Sequence, residues 1–196
     1  MVKKITKAKI IAQYVNDYNN KYYLRELAAL LNKPHQTIKP YVEELVREGI
    51  LIKNQRKNII EYHLNLKNNR IYDYLVIAEK EKLIEKLGDE IILKMLHEKI
   101  SPYFTDDAFV IFGSSVNKVE KKSDIDLLVV GKTNINKIIN DFQEIYNKKI
   151  HKIQIADLNK LSLALTKEIY KKHLILNNTE KIVRFFGKQY EHNNLV

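Results

Sequence analysis

The chain has 196 residues, and its 34 lysine and arginine residues against 24 aspartate and glutamate residues give a net charge of +10. It contains no cysteine, which excludes disulfides, thiolate metal sites and thiol nucleophiles. No apolar run approaches the ~20 residues that span a bilayer, and the basic N-terminus lacks a signal-peptide core. We therefore expect a cytoplasmic protein without membrane contact.

The positive charge is concentrated at the N-terminal end. Residues 1–65 hold twelve basic and six acidic residues, whereas the rest of the chain holds twenty-two and eighteen. A basic excess indicates the kind of partner, and nucleic acid is the first candidate. The alternative is that the basic excess reflects only the amino-acid composition, because lysine, asparagine and isoleucine are abundant throughout the chain.

Residues 1–65 predict three helices and a β-hairpin. Apolar residues recur at helical spacing in three stripes, and Gly49 after the third is typical of a helix end. The stripes are Ile10, Ile11, Tyr14, Val15 and Tyr18, then Leu24, Leu27, Ala28 and Leu31, then Ile38, Tyr41, Val42 and Leu45. Segments 50–52 and 59–63 are β-rich and flank a basic segment, which predicts a hairpin with a charged tip.

Residues 24–31 and 37–51 resemble winged helix-turn-helix modules. The resemblance implies that the helix after Pro34 enters the major groove of double-stranded DNA while the hairpin lies over the phosphates. Pro40 would be less costly if this helix began near Gln36. A winged helix used for protein contacts is the alternative. The residues free to touch DNA, once the core is assigned, are His35, Gln36, Thr37, Lys39, Lys53, Arg56 and Lys57.

Residues 66–100 are charged and have a helical apolar pattern. They are interpreted as a helical connector and possible homodimer interface, or as the first helices of the next domain. Gly88 is predicted to break the helix.

Residues 101–196 alternate between strand and helix patterns. Strands are predicted at 109–112, 125–130, 150–155 and 174–176, and helices at 135–146, 158–170 and around 183–186. The whole chain is thus predicted to be α+β, with a winged helix at 1–65, a helical connector at 66–100 and a mixed-sheet α/β domain at 101–196.

The strongest chemical signal lies between the first two of these strands. Asp124 and Asp126 are two residues apart on a predicted strand, so both carboxylates project from the same face. Two adjacent carboxylates repel each other unless a cation neutralises them. Their oxygen atoms are ligands that suit Mg²⁺ or Mn²⁺. The turn at Gly113 can bring backbone N–H groups and a hydroxyl to a phosphate. Together these features predict metal-assisted phosphoryl or nucleotidyl transfer. An acidic strand start beside an ordinary turn is the alternative.

This arrangement resembles the polymerase-β-type nucleotidyltransferase superfamily, in its minimal nucleotidyltransferase branch. The resemblance implies that Asp124 and Asp126 are catalytic and bind the metal. It implies that Gly113, Ser114, Ser115 and Ser123 bind a nucleoside triphosphate. Small members transfer a nucleoside monophosphate to a hydroxyl of a protein or small molecule, and several belong to toxin–antitoxin pairs.

The sequence departs from the family pattern at two positions. A second loop glycine is replaced by Lys118, and segment 149–155, where a third carboxylate belongs, contains neither Asp nor Glu. His151 or Gln154 could stand there, and His151 could accept a proton, although a lone strand histidine is more often structural. Asp157 lies just beyond the strand. The competing hypothesis is a transcriptional regulator whose second domain only binds nucleotide or mediates assembly.

Overall fold

A computed structural model describes residues 4–57, 59–120 and 123–191, with Arg56 described by its backbone alone. These residues divide into two compact units. The first unit contains residues 4–78 and 187–191, and the second contains residues 79–186. The domain boundaries expected after residues 65 and 100 stay a prediction.

In the first unit a helix precedes two further helices and a small sheet. The strands pair antiparallel in the order β1-β3-β2, which confirms the predicted hairpin. β2 runs four residues further than expected, because residues 53–56 pair with β3 instead of forming a loop. The elements are α1 (Lys7–Ile11), β1 (Tyr22–Tyr23), α2 (Leu24–Leu30), α3 (His35–Arg47), β2 (Leu51–Arg56) and β3 (Ile59–Leu64).

The end of α3 confirms the stop predicted at Gly49. Gly49 has φ +69°, a conformation that favours glycine. Its N–H donates to the carbonyl of Val46 at 3.0 Å, and the N–H of Ile50 donates to the carbonyl of Leu45 at 2.9 Å. These two bonds form a Schellman motif, which satisfies the last carbonyls of the helix and turns the chain into β2.

Pro40 lies inside α3, in its second turn. The helix begins at His35, one residue before the start expected from Pro40. Pro40 therefore cannot donate to the carbonyl of Gln36, and one helical bond is lost. Both residues are exposed, so water can hydrate that carbonyl.

The apolar stripes of the first unit form its core. Leu24, Leu31 and Tyr41 depart from the prediction, because each is only half-buried. Fully buried members are Ile10, Ile11, Tyr14, Leu27, Ile38, Val42 and Leu45.

The second unit is built on a four-stranded mixed sheet in the order β6-β5-β4-β7. β5 is antiparallel to β4 and parallel to β6, and β4 is antiparallel to β7. The helix between β5 and β6 makes the crossover that a parallel pair requires. Its elements are α5 (Ile91–Ile100), β4 (Ala108–Phe112), β5 (Ile125–Val130), α6 (Asn136–Tyr146), β6 (Ile150–Ile155), α7 (Leu163–Lys171) and β7 (His173–Asn177). Two helices, α4 (Arg70–Asp89) and α8 (Thr179–Glu191), contain residues of both units.

The predicted strands of this unit are confirmed, whereas the boundaries of two helices differ from the prediction. The helix expected at 158–170 begins at Leu163, because the Ser162 side chain accepts a hydrogen bond from the N–H of Leu165 and caps α7. The break expected at Gly88 lies two residues later, at Glu90, which is extended between the end of α4 at Asp89 and the start of α5 at Ile91. Gly88 itself is helical, is not at positive φ, and a Cβ there would meet nothing within 4 Å, so the break does not depend on this glycine.

One face of the sheet packs on α5 and α6. Ile125, Leu127 and Val129 of β5 lie in this core with Phe109 and Ile111 of β4. Because strand residues alternate between faces, Asp126 belongs to the other face. No helix among the described residues is long and apolar enough to cross a membrane.

Candidate functional site

The site begins where β4 ends. Gly113 follows Phe112 with φ +76°, and a Cβ placed on it would lie 2.8 Å from Oδ2 of Asp126. A side chain here would therefore meet both an unfavourable backbone conformation and a carboxylate. The N–H of Gly113 donates to the carbonyl of Lys172 at 3.2 Å, so the residue between α7 and β7 also holds this turn.

Strand register places Asp126 beside His151, at the level of the last residue of β4. Asp126 pairs with Phe112 of β4 on one side and with His151 of β6 on the other. Directly paired residues on neighbouring strands share a face. Nδ1 of His151 lies 3.4 Å from Oδ1 of Asp126, and the two side chains are 64% and 28% exposed. The site is thus open to solvent beside Gly113.

Asp124 lies immediately before β5. Its Oδ2 is 3.2 Å from Nζ of Lys149, and both side chains are exposed. The N–H of Ile125 donates to the carbonyl of Lys149 at 3.0 Å, which fixes the two segments side by side. The cationic group that lies beside Asp124 is therefore the ammonium group of Lys149.

The three serines predicted to bind nucleotide have different surroundings. Ser114 is exposed in the short 3₁₀ turn Gly113–Val116. Ser115 is buried, and its hydroxyl donates to the carbonyl of Phe112 at 3.3 Å. The Ser123 hydroxyl donates to the Glu120 carbonyl at 3.0 Å and accepts from the Glu120 N–H at 3.1 Å. Nucleotide binding by these serines stays a prediction, and Ser114 has the surroundings that suit it best.

Lys148 is a site residue that sequence reasoning missed. Only 6% of it is exposed, and its Nζ donates to the Glu120 carbonyl and contacts the Ser123 hydroxyl at 3.4 Å. It thus supports the segment that leads into Asp124. A run of adjacent lysines in the sequence gives no signal that one of them is buried. Lys121 and Lys122 of the same loop lie outside the described residues.

Gln154 and Asp157, the other residues considered for the place of the third carboxylate, make different contacts. Gln154 pairs with Val129, and its amide donates to the carbonyls of Gly131 and Thr133 at 3.2 Å each. Asp157 accepts a hydrogen bond from the N–H of Asn159 at 2.7 Å and caps a short 3₁₀ turn. Of these candidates, only His151 contacts Asp126.

A divalent cation fits the chemistry of this donor set. Within the described part of the chain no three His, Asp or Glu side chains already form a cluster that could hold a metal. Mg²⁺ in nucleotide enzymes is commonly held by one or two carboxylates together with substrate phosphates. Asp124 and Asp126 meet that requirement, and the space left by the missing side chain of Gly113 adjoins Asp126.

The residues predicted to contact DNA lie in the first unit. On α3, Gln36, Thr37 and Lys39 are exposed and His35 is half-buried. Lys39 lies 3.7 Å from Glu43 in an exposed pair, which contributes little to stability and leaves the lysine able to change partners.

The hairpin residues predicted to contact DNA are described less completely. Lys53 lies within β2 rather than at the hairpin tip, and it is exposed. Lys57 follows β2 at φ +53° and is also exposed. The Arg56 side chain lies outside the described part.

Comparison with known proteins identifies the class of the second unit. Residues 94–181 match the family described as Polymerase beta, Nucleotidyltransferase. This range includes Gly113, Asp124, Asp126 and His151, so the chain carries a nucleotidyltransferase-like domain, as the motif predicted. No curated protein matches the chain.

A solved structure of the toxin–antitoxin MntA–HpeT, in a mutant form, contains a chain that is similar to this one. The identity is 14%, the TM-score is 0.34, and the match covers 52% of this chain and 92% of that chain.

Proposed function

We propose that the second unit is a metal-dependent nucleotidyltransferase. It transfers a nucleoside monophosphate from a nucleoside triphosphate to a hydroxyl of a protein or small molecule and releases pyrophosphate. The observation that carries the proposal is the Asp126 carboxylate, which lies over Gly113 where a Cβ would be 2.8 Å from Oδ2. The family match over residues 94–181 supports the same class of reaction.

The reaction joins the acceptor oxygen to the α-phosphorus. As that bond forms, the bond from the α-phosphorus to the bridging oxygen of pyrophosphate breaks, and the hydroxyl proton passes to a base. Asp124 and Asp126 would hold a divalent ion, which when bound neutralises charge on the phosphates. The exposed Ser114 hydroxyl can donate to a phosphate oxygen. For the base, His151 is the candidate from the sequence.

Transfer of label tests this proposal. The chain is incubated with α-labelled nucleoside triphosphates, Mg²⁺ or Mn²⁺, and candidate protein and small-molecule acceptors. We expect label on an acceptor and equimolar pyrophosphate. Asp126→Asn, which keeps the shape and removes the charge, should abolish both. Equal transfer by wild type and Asp126→Asn would contradict the proposal.

We propose further that the first unit is a winged helix that binds double-stranded DNA. An α2–α3 pair followed by an antiparallel hairpin is the arrangement expected of such a module, and exposed Gln36 and Lys39 on α3 suit base and phosphate contacts. Exposed Lys53 and Lys57 on the hairpin suit phosphate. The net charge of +10 favours the same partner.

The competing function is a transcriptional regulator whose second unit binds nucleotide without turnover. The absence of Asp and Glu from β6 favours it, since His151 takes the place of a carboxylate. This function would be favoured if the chain bound nucleotide and DNA but transferred no nucleotide.

We also propose two kinds of assembly, which the sequence predicts. A homodimer through residues 66–100 would use exposed apolar residues such as Ile84 and Ile91, which are 70% and 66% exposed. Sedimentation at several concentrations tests it. Pairing with a toxin or antitoxin partner is the other, and co-purification with the product of an adjacent gene tests it.

A further inference from the structure

We infer that His151 is a metal ligand beside Asp126, and that its imidazole shifts the preference of the site from Mg²⁺ toward first-row transition ions such as Mn²⁺. The inference rests on the proposed function, because it requires that Asp126 holds the ion. It adds a ligand, and a metal preference, that the carboxylates alone do not supply.

The sheet register provides the first support. His151 pairs directly with Asp126, so the two side chains leave neighbouring strands on the same face. The His151 side chain is 64% exposed, and an ion can therefore reach it without moving any strand.

The distance between the donor atoms provides the second line of support. Nδ1 of His151 and Oδ1 of Asp126 are 3.4 Å apart, beyond the usual N–H···O range of about 2.7–3.2 Å. Donors about 2.1 Å from one ion stand about 3.0 Å apart at octahedral angles and about 3.4 Å apart at tetrahedral angles. The pair is therefore about 0.4 Å wider than the octahedral spacing, so a small rotation of either side chain would let both atoms bind a single ion.

The chemistry of the donor atoms provides the third line of support. Imidazole nitrogen suits transition ions, whereas Mg²⁺ takes oxygen ligands. Because no cluster of three such side chains is preformed in the described ranges, phosphate oxygens and Asp124 must complete the coordination. Asp124 must first leave Lys149, which lies 3.2 Å from it. Binding should therefore be much tighter when a polyphosphate is present.

The roles of ligand and base exclude each other at this residue. An imidazole that binds an ion through Nδ1 carries its proton on Nε2 and has no lone pair left to accept another. If His151 is a ligand, the proton of the acceptor hydroxyl must pass to another group or to water. Spectroscopy of the bound ion distinguishes the two roles.

The test uses the full chain with Mn²⁺ and inorganic tripolyphosphate, which contains no nitrogen. Pulsed electron paramagnetic resonance reports ¹⁴N coupling when an imidazole binds the ion. We expect this coupling in the wild type and its loss in His151→Gln, together with at least about a tenfold rise in the Kd for Mn²⁺. In His151→Asp the coupling should be lost and Mg²⁺ should displace Mn²⁺ at lower concentration than in the wild type.

Control variants separate failure of the inference from failure of the proposed function. His63→Gln makes the same substitution in the first unit and should keep the coupling. Coupling that persists in His151→Gln, or bound Mn²⁺ without coupling in the wild type, would overturn the ligand role while leaving the carboxylate site standing. Unchanged Mn²⁺ affinity in Asp124→Ala/Asp126→Ala would overturn the proposed function as well, because the carboxylates would then not hold the ion.

Discussion

Gly113 combines two constraints in one residue. Its φ of +76° costs an L-residue about 1–2 kcal/mol, and a Cβ would meet Asp126 Oδ2 at 2.8 Å. We predict that Gly113→Ala lowers the free energy of unfolding by about 1–2 kcal/mol and abolishes transfer. Denaturant unfolding and the label assay measure these effects.

Gly88 offers a matched control for this prediction. It lies within α4, and a Cβ there would meet nothing within 4 Å. Gly88→Ala should therefore leave activity unchanged and raise helix stability by up to about 1 kcal/mol. Equal loss of activity in both variants would show that the space beside Asp126 is not the reason for glycine at position 113.

Lys149 is predicted to compete with a metal at Asp124. Because the pair is exposed, Lys149→Met should change the free energy of unfolding by less than about 1 kcal/mol. The freed carboxylate should bind Mn²⁺ more tightly, which calorimetry would detect. Lys152→Met removes the same charge from β6 without a contact to Asp124. If both variants bind Mn²⁺ with the same affinity, the change in affinity is due to the loss of a positive charge and not to the contact between Lys149 and Asp124.

At the scale of elements, a buried ion pair connects α4 to β7 within the second unit. Oε1 of Glu79 lies 2.8 Å from Nε2 of His173, and both side chains are fully buried. Nδ1 of His173 donates to the carbonyls of Ile169 and Tyr170, which fixes the ring. Burial opposes ionisation of Glu79, but His173 and Lys82 outweigh it and lower the pKa of this carboxyl.

We predict that Glu79→Gln lowers the free energy of unfolding by about 3 kcal/mol near neutral pH. Because the pKa of Glu79 is lowered in the folded protein, its contribution is present above the ordinary carboxyl pKa of about 4.3. It is lost as the pH falls through the lowered value. The difference between wild type and variant should therefore narrow in acid, as measured by denaturant unfolding across pH.

The exposed pair of Glu180 and Arg184 supplies the comparison for this prediction. These side chains are 2.8 Å apart on the surface of α8, and Glu180→Gln should change stability by less than about 1 kcal/mol. A similar small change in Glu79→Gln would mean that the buried pair does not stabilise the fold.

The sequence predicts the elements better than the contacts between them. The strands containing Asp126 and His151 follow from local apolar patterns, and Gly113 with the two aspartates follows from motif spacing. Glu79 and His173 are 94 residues apart, and nothing local indicates that they meet. The inward turn of Ser115 and the burial of Lys148 likewise depend on tertiary packing, which periodicity does not report.

At the scale of the whole molecule, the proposed DNA contacts predict a strong dependence on salt. Each phosphate neutralised by a lysine adds about −0.9 to the slope of log affinity against log salt. Lys53→Gln/Lys57→Gln should therefore reduce the slope by about 1.8. Filter binding or fluorescence anisotropy at several salt concentrations measures it.

Two exposed lysines of the second unit, Lys137 and Lys171, provide the control for total charge. Lys137→Gln/Lys171→Gln lowers the net charge equally and should leave the slope unchanged. A slope that falls equally in both double variants would show attraction by overall charge and would contradict specific contacts by the hairpin.

We propose that the site at Gly113, Asp124 and Asp126 transfers a nucleotide, and the decisive measurement is paired labelling of one nucleoside triphosphate. The chain is incubated with α-labelled and, in parallel, γ-labelled substrate, with Mn²⁺ and candidate acceptors. We expect that α-label enters an acceptor, that γ-label leaves as pyrophosphate, and that Asp126→Asn does neither. Transfer of γ-label to the acceptor, or α-transfer that persists in Asp126→Asn, would contradict it.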